Sequence, residues 1–130
     1  MIKDSGQRTE FSTGAVRDLQ TNKGRYDLLP TYAIHELARH MEEGCKKYGD
    51  RNWEKGVELH TFVNSALRHL NKFMMNMNDE PHLSAAAWNI MCLLDTIIRI
   101  KLDVLSDDLN TLPINIQETE TYITKETLWT

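Results

Sequence analysis

The stretch Leu83–Ile98, LSAAAWNIMCLLDTII, constrains this chain more than any other. On a helix it is apolar almost all round, and such a helix has to be covered on several sides. Only two other segments carry apolar residues at helical spacing. Three helices of one small chain cover it poorly, so burial at a subunit interface is expected. The alternative is the central helix of a monomeric bundle.

The other helices follow from periodicity and punctuation. A first helix is expected from Pro30 or Thr31, where a proline without N–H costs nothing, to a stop at Gly49. Its apolar positions are Ile34, Leu37, Ala38, Met41, Cys45 and Tyr48. A second helix is expected over 59–77, with Phe62, Val63, Ala66, Leu67, Leu70, Phe73, Met74 and Met77 on one face. Asn76–Pro81 reads as a turn, and Pro81 opens a third helix running to about Leu105. Residues 1–29 hold three of the six glycines and little periodicity, so they are expected to be extended or irregular. The fold class is all-α. The division is an irregular segment 1–29, a helical domain 30–106 and a polar tail 107–130. That tail is expected to strap a neighbouring subunit or to be disordered.

Composition narrows the partners. A net charge of −4 disfavours a protein that coats nucleic acid or an anionic membrane. It leaves room for a small anion in a local basic pocket. Cys45 and Cys92 form no C-x-x-C and sit on apolar stripes, which suits buried small hydrophobes. The N-terminus lacks an apolar leader, and no apolar run approaches ~18 residues. The expected location is the cytoplasm, with no membrane partner.

On a wheel of about 100° per residue, the first helix has its apolar centre near Ile34 and Cys45. Glu42 then lies on the edge with His35, Arg39 and Lys46, where it can face a cleft, whereas Glu43 points away. The alternative is a solvated charged face. His69 lies on the edge of the second helix beside Phe62, Phe73 and Asn76, as a structural or functional histidine. His82 and Asn89 share a stripe of the third helix with Ala85 and Ala86 between them. Asp79 stands three residues before His82 in DEPH, so both can face one site, unless Asp79 only caps the helix. Carboxylates with imidazoles suit a divalent ion, and a helix start suits phosphate. The connector KKYGDRNWEKG (46–56) is rich in cations and aromatics. No G-x-S-x-G and no Walker loop is present, so metal-assisted hydrolysis is the fitting reaction class.

The motifs NKGRYDLLP, EEGCKKYGDRNWEKG, SALRHL and DEPHLSAAAWN, in that order over residues 12–95, resemble the dATP/dGTP diphosphohydrolase family of phages, within the MazG-like all-α nucleotide pyrophosphohydrolases. The resemblance implies helical protomers of about three main helices, completed by oligomerisation as a dimer or tetramer. It implies hydrolysis of dGTP and dATP to the monophosphate and pyrophosphate with Mg²⁺, Mn²⁺ or Co²⁺. It also implies a role in phage nucleotide metabolism within the host cytoplasm, including supply for 2-aminoadenine synthesis. The motif positions are Arg25, Asp27, Glu42, Lys46, Lys47, Tyr48, Arg51, Asn52, Trp53, Arg68, His69, Asp79, His82 and Asn89.

Within that set, Glu42, His69 and Asp79 are the expected catalytic groups, and Glu42, Asp79, His69 and His82 the expected metal ligands. Arg25, Lys46, Lys47, Tyr48, Arg51, Asn52, Trp53, Arg68, His82 and Asn89 are the expected substrate contacts. One departure stands out. The superfamily shows E-x-x-E on one helix and E-x-x-D on the next. Here Glu42 is flanked at that spacing by Arg39 and Cys45, and no acid lies between Thr61 and Asn78. Two readings therefore stand beside hydrolysis: a nucleotide-sequestering protein of the same fold, and a helical interaction protein.

Overall fold

The computed structural model describes residues 2–127. The chain divides after Leu29 into two compact units.

In the first unit, β1 (Arg8–Glu10) pairs antiparallel with β2 (Val16–Asp18), in register Arg8↔Asp18 and Glu10↔Val16. The turn closes through Phe11 N–H to the Ala15 carbonyl at 2.9 Å. Gly14, at φ +87°, supplies the left-handed step. Asp18 gathers the unit by accepting from Ser5 and pairing with Lys23 at 3.1 Å. The segment expected to be extended or irregular thus holds a short hairpin. A 3-10 turn, Tyr26–Leu28, follows it, with Arg25 and Asp27 joined by two parallel bonds of 2.9 and 2.8 Å.

The second unit is a helical bundle of α1 (Thr31–Tyr48), α2 (Leu59–Met74) and α3 (His82–Lys101). The bundle is all-α, as expected. The last two helices end three to four residues before their apolar pattern does. Asn76 and Asp103 take left-handed φ of 59° and 60°. At the first, Met77 N–H reaches the Lys72 carbonyl and Asn76 N–H reaches Phe73. At the second, Val104 reaches Arg99 and Asp103 reaches Ile100. These are two Schellman closures with short polar residues in the glycine position.

α3 buries His82, Ala85, Ala86, Asn89, Cys92, Thr96, Ile97 and Ile100 against its neighbours. Leu83, Ile90 and Leu94, on its other side, remain half exposed, as do Leu67, Leu70 and Phe73 of α2. By length and composition α3 could cross a membrane, with a mean hydropathy of 1.4, but its buried face carries His82, Asn89 and Thr96.

The core sits at the far end of α3. Leu59, Ile97, Ile100 and Ile116 pack together, ringed by Leu93, Leu105, Leu109 and Leu112. Five of these eight residues precede the tail or open it, but Leu109, Leu112 and Ile116 belong to the tail itself. So the segment read as a strap on a neighbour or as disorder folds back on its own helices. Thr111 Oγ1 accepts from His60 N–H at 3.1 Å, satisfying a donor of the first turn of α2. Lys101 Nζ donates to the Thr119 carbonyl at 2.6 Å.

Candidate functional site

The start of α3 is where chemistry concentrates. Pro81 precedes the helix, and its first turn has no side-chain cap. Asp79 is therefore free of the capping task and turns to the ring of His82 instead. His82 Nε2 lies 2.8 Å from Asp79 Oδ1, and His82 Nδ1 lies 2.9 Å from Nδ1 of His69 on α2. The His82 side chain is fully buried, while that of Asp79 is 61% exposed.

For the state in which both rings are neutral, these contacts assign the protons. The His82 bond holds the Asp79 carboxyl below its usual range, so Asp79 is an acceptor. His82 then donates from Nε2, which leaves its Nδ1 bare. His69 must donate from Nδ1, and its Nε2 keeps a lone pair. Burial lowers the His69 pKa first, and Arg68 lowers it further, so His69 is neutral near pH 7. The outcome is a three-member chain, Asp79–His82–His69, ending in an imidazole lone pair of fixed direction.

Around it stand groups the sequence reading passed over. Glu80, Asp79 and His82 offer ligand atoms that all lie within 4.8 Å of one another. Ser84 donates to Glu36 of α1 at 2.8 Å. His40 of α1 packs on Trp88 with ring centroids 5.5 Å apart. Burial lowers the His40 pKa, and the charge of Glu80 partly restores it. A cavity of about 250 Å³ opens here, lined by Asn76, Asn78, Glu80, His82 and Ser84 among others. Glu80 carried a weak signal, as the neighbour of Asp79 in DEPH. Trp88 was read only as part of the apolar run of α3, and Glu36 and His40 carried none, because placing the α1 stripe at Ile34 and Cys45 turned them away. The half-buried residues of α1 are Leu37, His40, Met41, Gly44 and Cys45.

Two carboxylates suit a magnesium ion, which is typically held by one or two carboxylates with waters and substrate phosphates. His82 occupies Oδ1 of Asp79 and leaves Oδ2 without a side-chain partner. Asp79 and Glu80 therefore fit such an ion. His82 fits it less well, since both its nitrogens are already engaged.

The connector after α1 lies further along α3. Gly49 (φ +87°) ends α1, and Arg51 (φ +59°) opens a 3-10 turn, Asn52–Lys55. Trp53 is pinned beneath Arg99, whose Cζ is 5.4 Å from the ring centre, and Arg99 is held by Asp95 at 2.7 Å. A cavity of about 40 Å³ is lined by Tyr48, Arg51, Asn52, Trp53 and Trp88 with residues of α1. A neighbouring one of about 350 Å³ shares Met41, Cys45, Arg51 and Trp53 with it. So Trp53 both anchors the loop and faces a cavity.

The remaining expected residues are dispersed. Glu42 is exposed and pairs with Arg39 at 2.8 Å, outside the cluster at the α3 start. Lys46 pairs with Glu43 at 2.9 Å, and Lys47 lies over the Tyr48 ring. Arg51 is exposed and pairs with Glu54 at 2.9 Å. Arg68 donates to Ser65 on its own helix. Asn89 donates to the Ala85 carbonyl at 2.8 Å and is buried. Arg25 and its partner Asp27 belong to the first unit. A larger cavity, about 540 Å³, lies elsewhere, between Leu94, Ile98 and residues 120–123. It holds no imidazole and no cation, so size alone points away from the chemistry.

The family model described as dATP/dGTP diphosphohydrolase, N-terminal, matches residues 13–105. No curated protein and no solved structure matches the chain.

Proposed function

This chain belongs to the dATP/dGTP diphosphohydrolase family, and from that premise we propose that it hydrolyses dGTP and dATP to the monophosphate and pyrophosphate. The observation that carries the reading is the Asp79–His82–His69 chain beside Glu80. A bound Mg²⁺, held by Asp79 and Glu80, would neutralise charge on the phosphoryl oxygens. His69 Nε2 takes the proton of the attacking water. His82 holds the His69 tautomer, and Asp79 holds His82. The water oxygen bonds to the α-phosphorus as the bridge to the β-phosphorus breaks, and pyrophosphate leaves. Lys46 and Lys47 have only exposed partners to give up, and Arg51 has the half-buried Glu54, so the connector offers these three cations to the nucleotide.

The bare apolar residues of α2 and α3 fit a second copy of the chain, since monomers rarely leave such faces uncovered. An oligomer of this kind, working on nucleotides in the cytoplasm of a phage-infected host, is part of the same proposal.

Incubation with each deoxynucleoside triphosphate and Mg²⁺ or Mn²⁺ tests it. The expected products are pyrophosphate and dGMP or dAMP. Release of orthophosphate or of intact triphosphate overturns it. One observation favours a second reading, a nucleotide-sequestering protein: α2 contributes no carboxylate to the cluster. Tight binding of dGTP in calorimetry with no product after long incubation would select that reading.

A further inference from the structure

Trp88 Nε1 is buried and has no hydrogen-bond partner, the one such side-chain atom among the described residues that are not exposed. Leaving such a bond unmade is costly, and buried indole N–H groups usually find a partner. The group only donates, so what it lacks is an acceptor. Its ring lines the small cavity with Tyr48, Arg51, Asn52 and Trp53. Gly44 lines the same cavity, and a Cβ built on it would meet nothing within 4 Å. The space beside the indole is thus left open by the helix that packs on it.

About 40 Å³ holds a water or the edge of a ring, and the adjoining 350 Å³ has the size of a small-ligand pocket. From His82 to Trp88 is six residues along α3, ~9 Å at the helical rise. A nucleotide with its phosphates at the α3 start would bring its base to this level.

Resting on the nucleotide reading above, we infer that Trp88 selects purines by donating its indole N–H to ring atom N7. Guanine and adenine both present N7 as an acceptor, whereas at the six position guanine accepts and adenine donates. Pyrimidines have no N7. A donor directed at N7 accepts both purines and does not tell them apart. Arg51 and Asn52, at the same cavity, are placed to read the remaining edge.

The test compares α,β-imido-dGTP with its 7-deaza counterpart, which has C–H in place of N7. Affinity is measured by calorimetry with Mg²⁺, and the Trp88 indole signal is followed by ¹⁵N NMR. The expected loss for the 7-deaza analogue is about threefold to tenfold. Trp88→Phe should weaken the parent by the same factor and leave the 7-deaza analogue unchanged. The indole signal should move with the parent only. Equal affinities with an unmoved signal overturn the inference and make a buried water the partner of Trp88. Should Trp88→Phe fail to fold, the two analogues on the natural protein decide. Failure of every nucleotide to bind removes the nucleotide reading itself, a result distinct from equal binding.

Discussion

The two ends of α3 are built on opposite terms. At its C-terminal end Ile97 and Ile100 meet Leu59 and Ile116, with four further leucines around them. At its N-terminal end the buried residues are His82, two alanines and Asn89. One end gains stability from area removed from water. The other buries an imidazole that only its bonds to Asp79 and His69 make tolerable, and it leaves cavities beside small side chains. The comparison teaches that a single helix can anchor the fold with one end and leave the other underpacked for a ligand.

The comparison predicts separable effects. Ile100→Ala should cost the most, about 2–5 kcal/mol of stability by chemical denaturation, with turnover per folded molecule unchanged. A large loss of turnover at full folding would break the division between the ends. Asp79→Asn should do the reverse. Turnover should fall about 100-fold or more, while the melting temperature moves little, because the carboxylate is exposed. A third test is pH. Burial lowers the His40 and His69 pKa values, with Glu80 acting against this and Arg68, His82 and Lys72 with it at His69. The unfolded chain therefore binds more protons than the folded one as pH falls through the ordinary histidine value of about 6.5. Stability should drop on that side and level off above it. Replacing both by Gln should flatten the profile. The smallest effect belongs to Glu42→Ala, which removes a surface ion pair worth ~1 kcal/mol or less. If turnover instead collapsed with stability intact, Glu42 would belong to a site shared between two copies of the chain.

Much of the bundle was legible because apolar periodicity marks α1, α2 and α3 directly. Their ends were less so. The apolar pattern runs on through Met77 and Leu105, while Asn76 and Asp103 stop the helices by a backbone turn that periodicity does not register. The tail was illegible for a related reason. Leu105, Leu109, Leu112 and Ile116 are spaced like one helical face, but Pro113 forbids a helix through them, so nothing local announced that they pack. Within the site, Asp79 and His82 could be paired from DEPH alone, since three residues at a helix start share a side. That His69 completes the chain required knowing how α2 lies on α3. Trp88 was merged into the apolar run of α3, and Glu36 and His40 were lost with the rotation of α1. The glycine on its packed face, Gly44, counts for nothing in an apolar pattern, and without it the stripe appears centred elsewhere.

Thr111 closing the first turn of α2 carries a consequence for how the protein is made. Donor and acceptor are 51 residues apart in the chain. During synthesis all three helices emerge before the residues that seal their core, Thr111 and Ile116. The chain must therefore hold Leu59 and Ile100 unsealed for the time the ribosome takes to add the stretch from Ile100 to Ile116, a few seconds at most at ordinary rates of about 5–20 residues per second. Its most vulnerable moment falls between the emergence of α3 and that of Ile116, when the whole site is displayed on a bundle without its clasp.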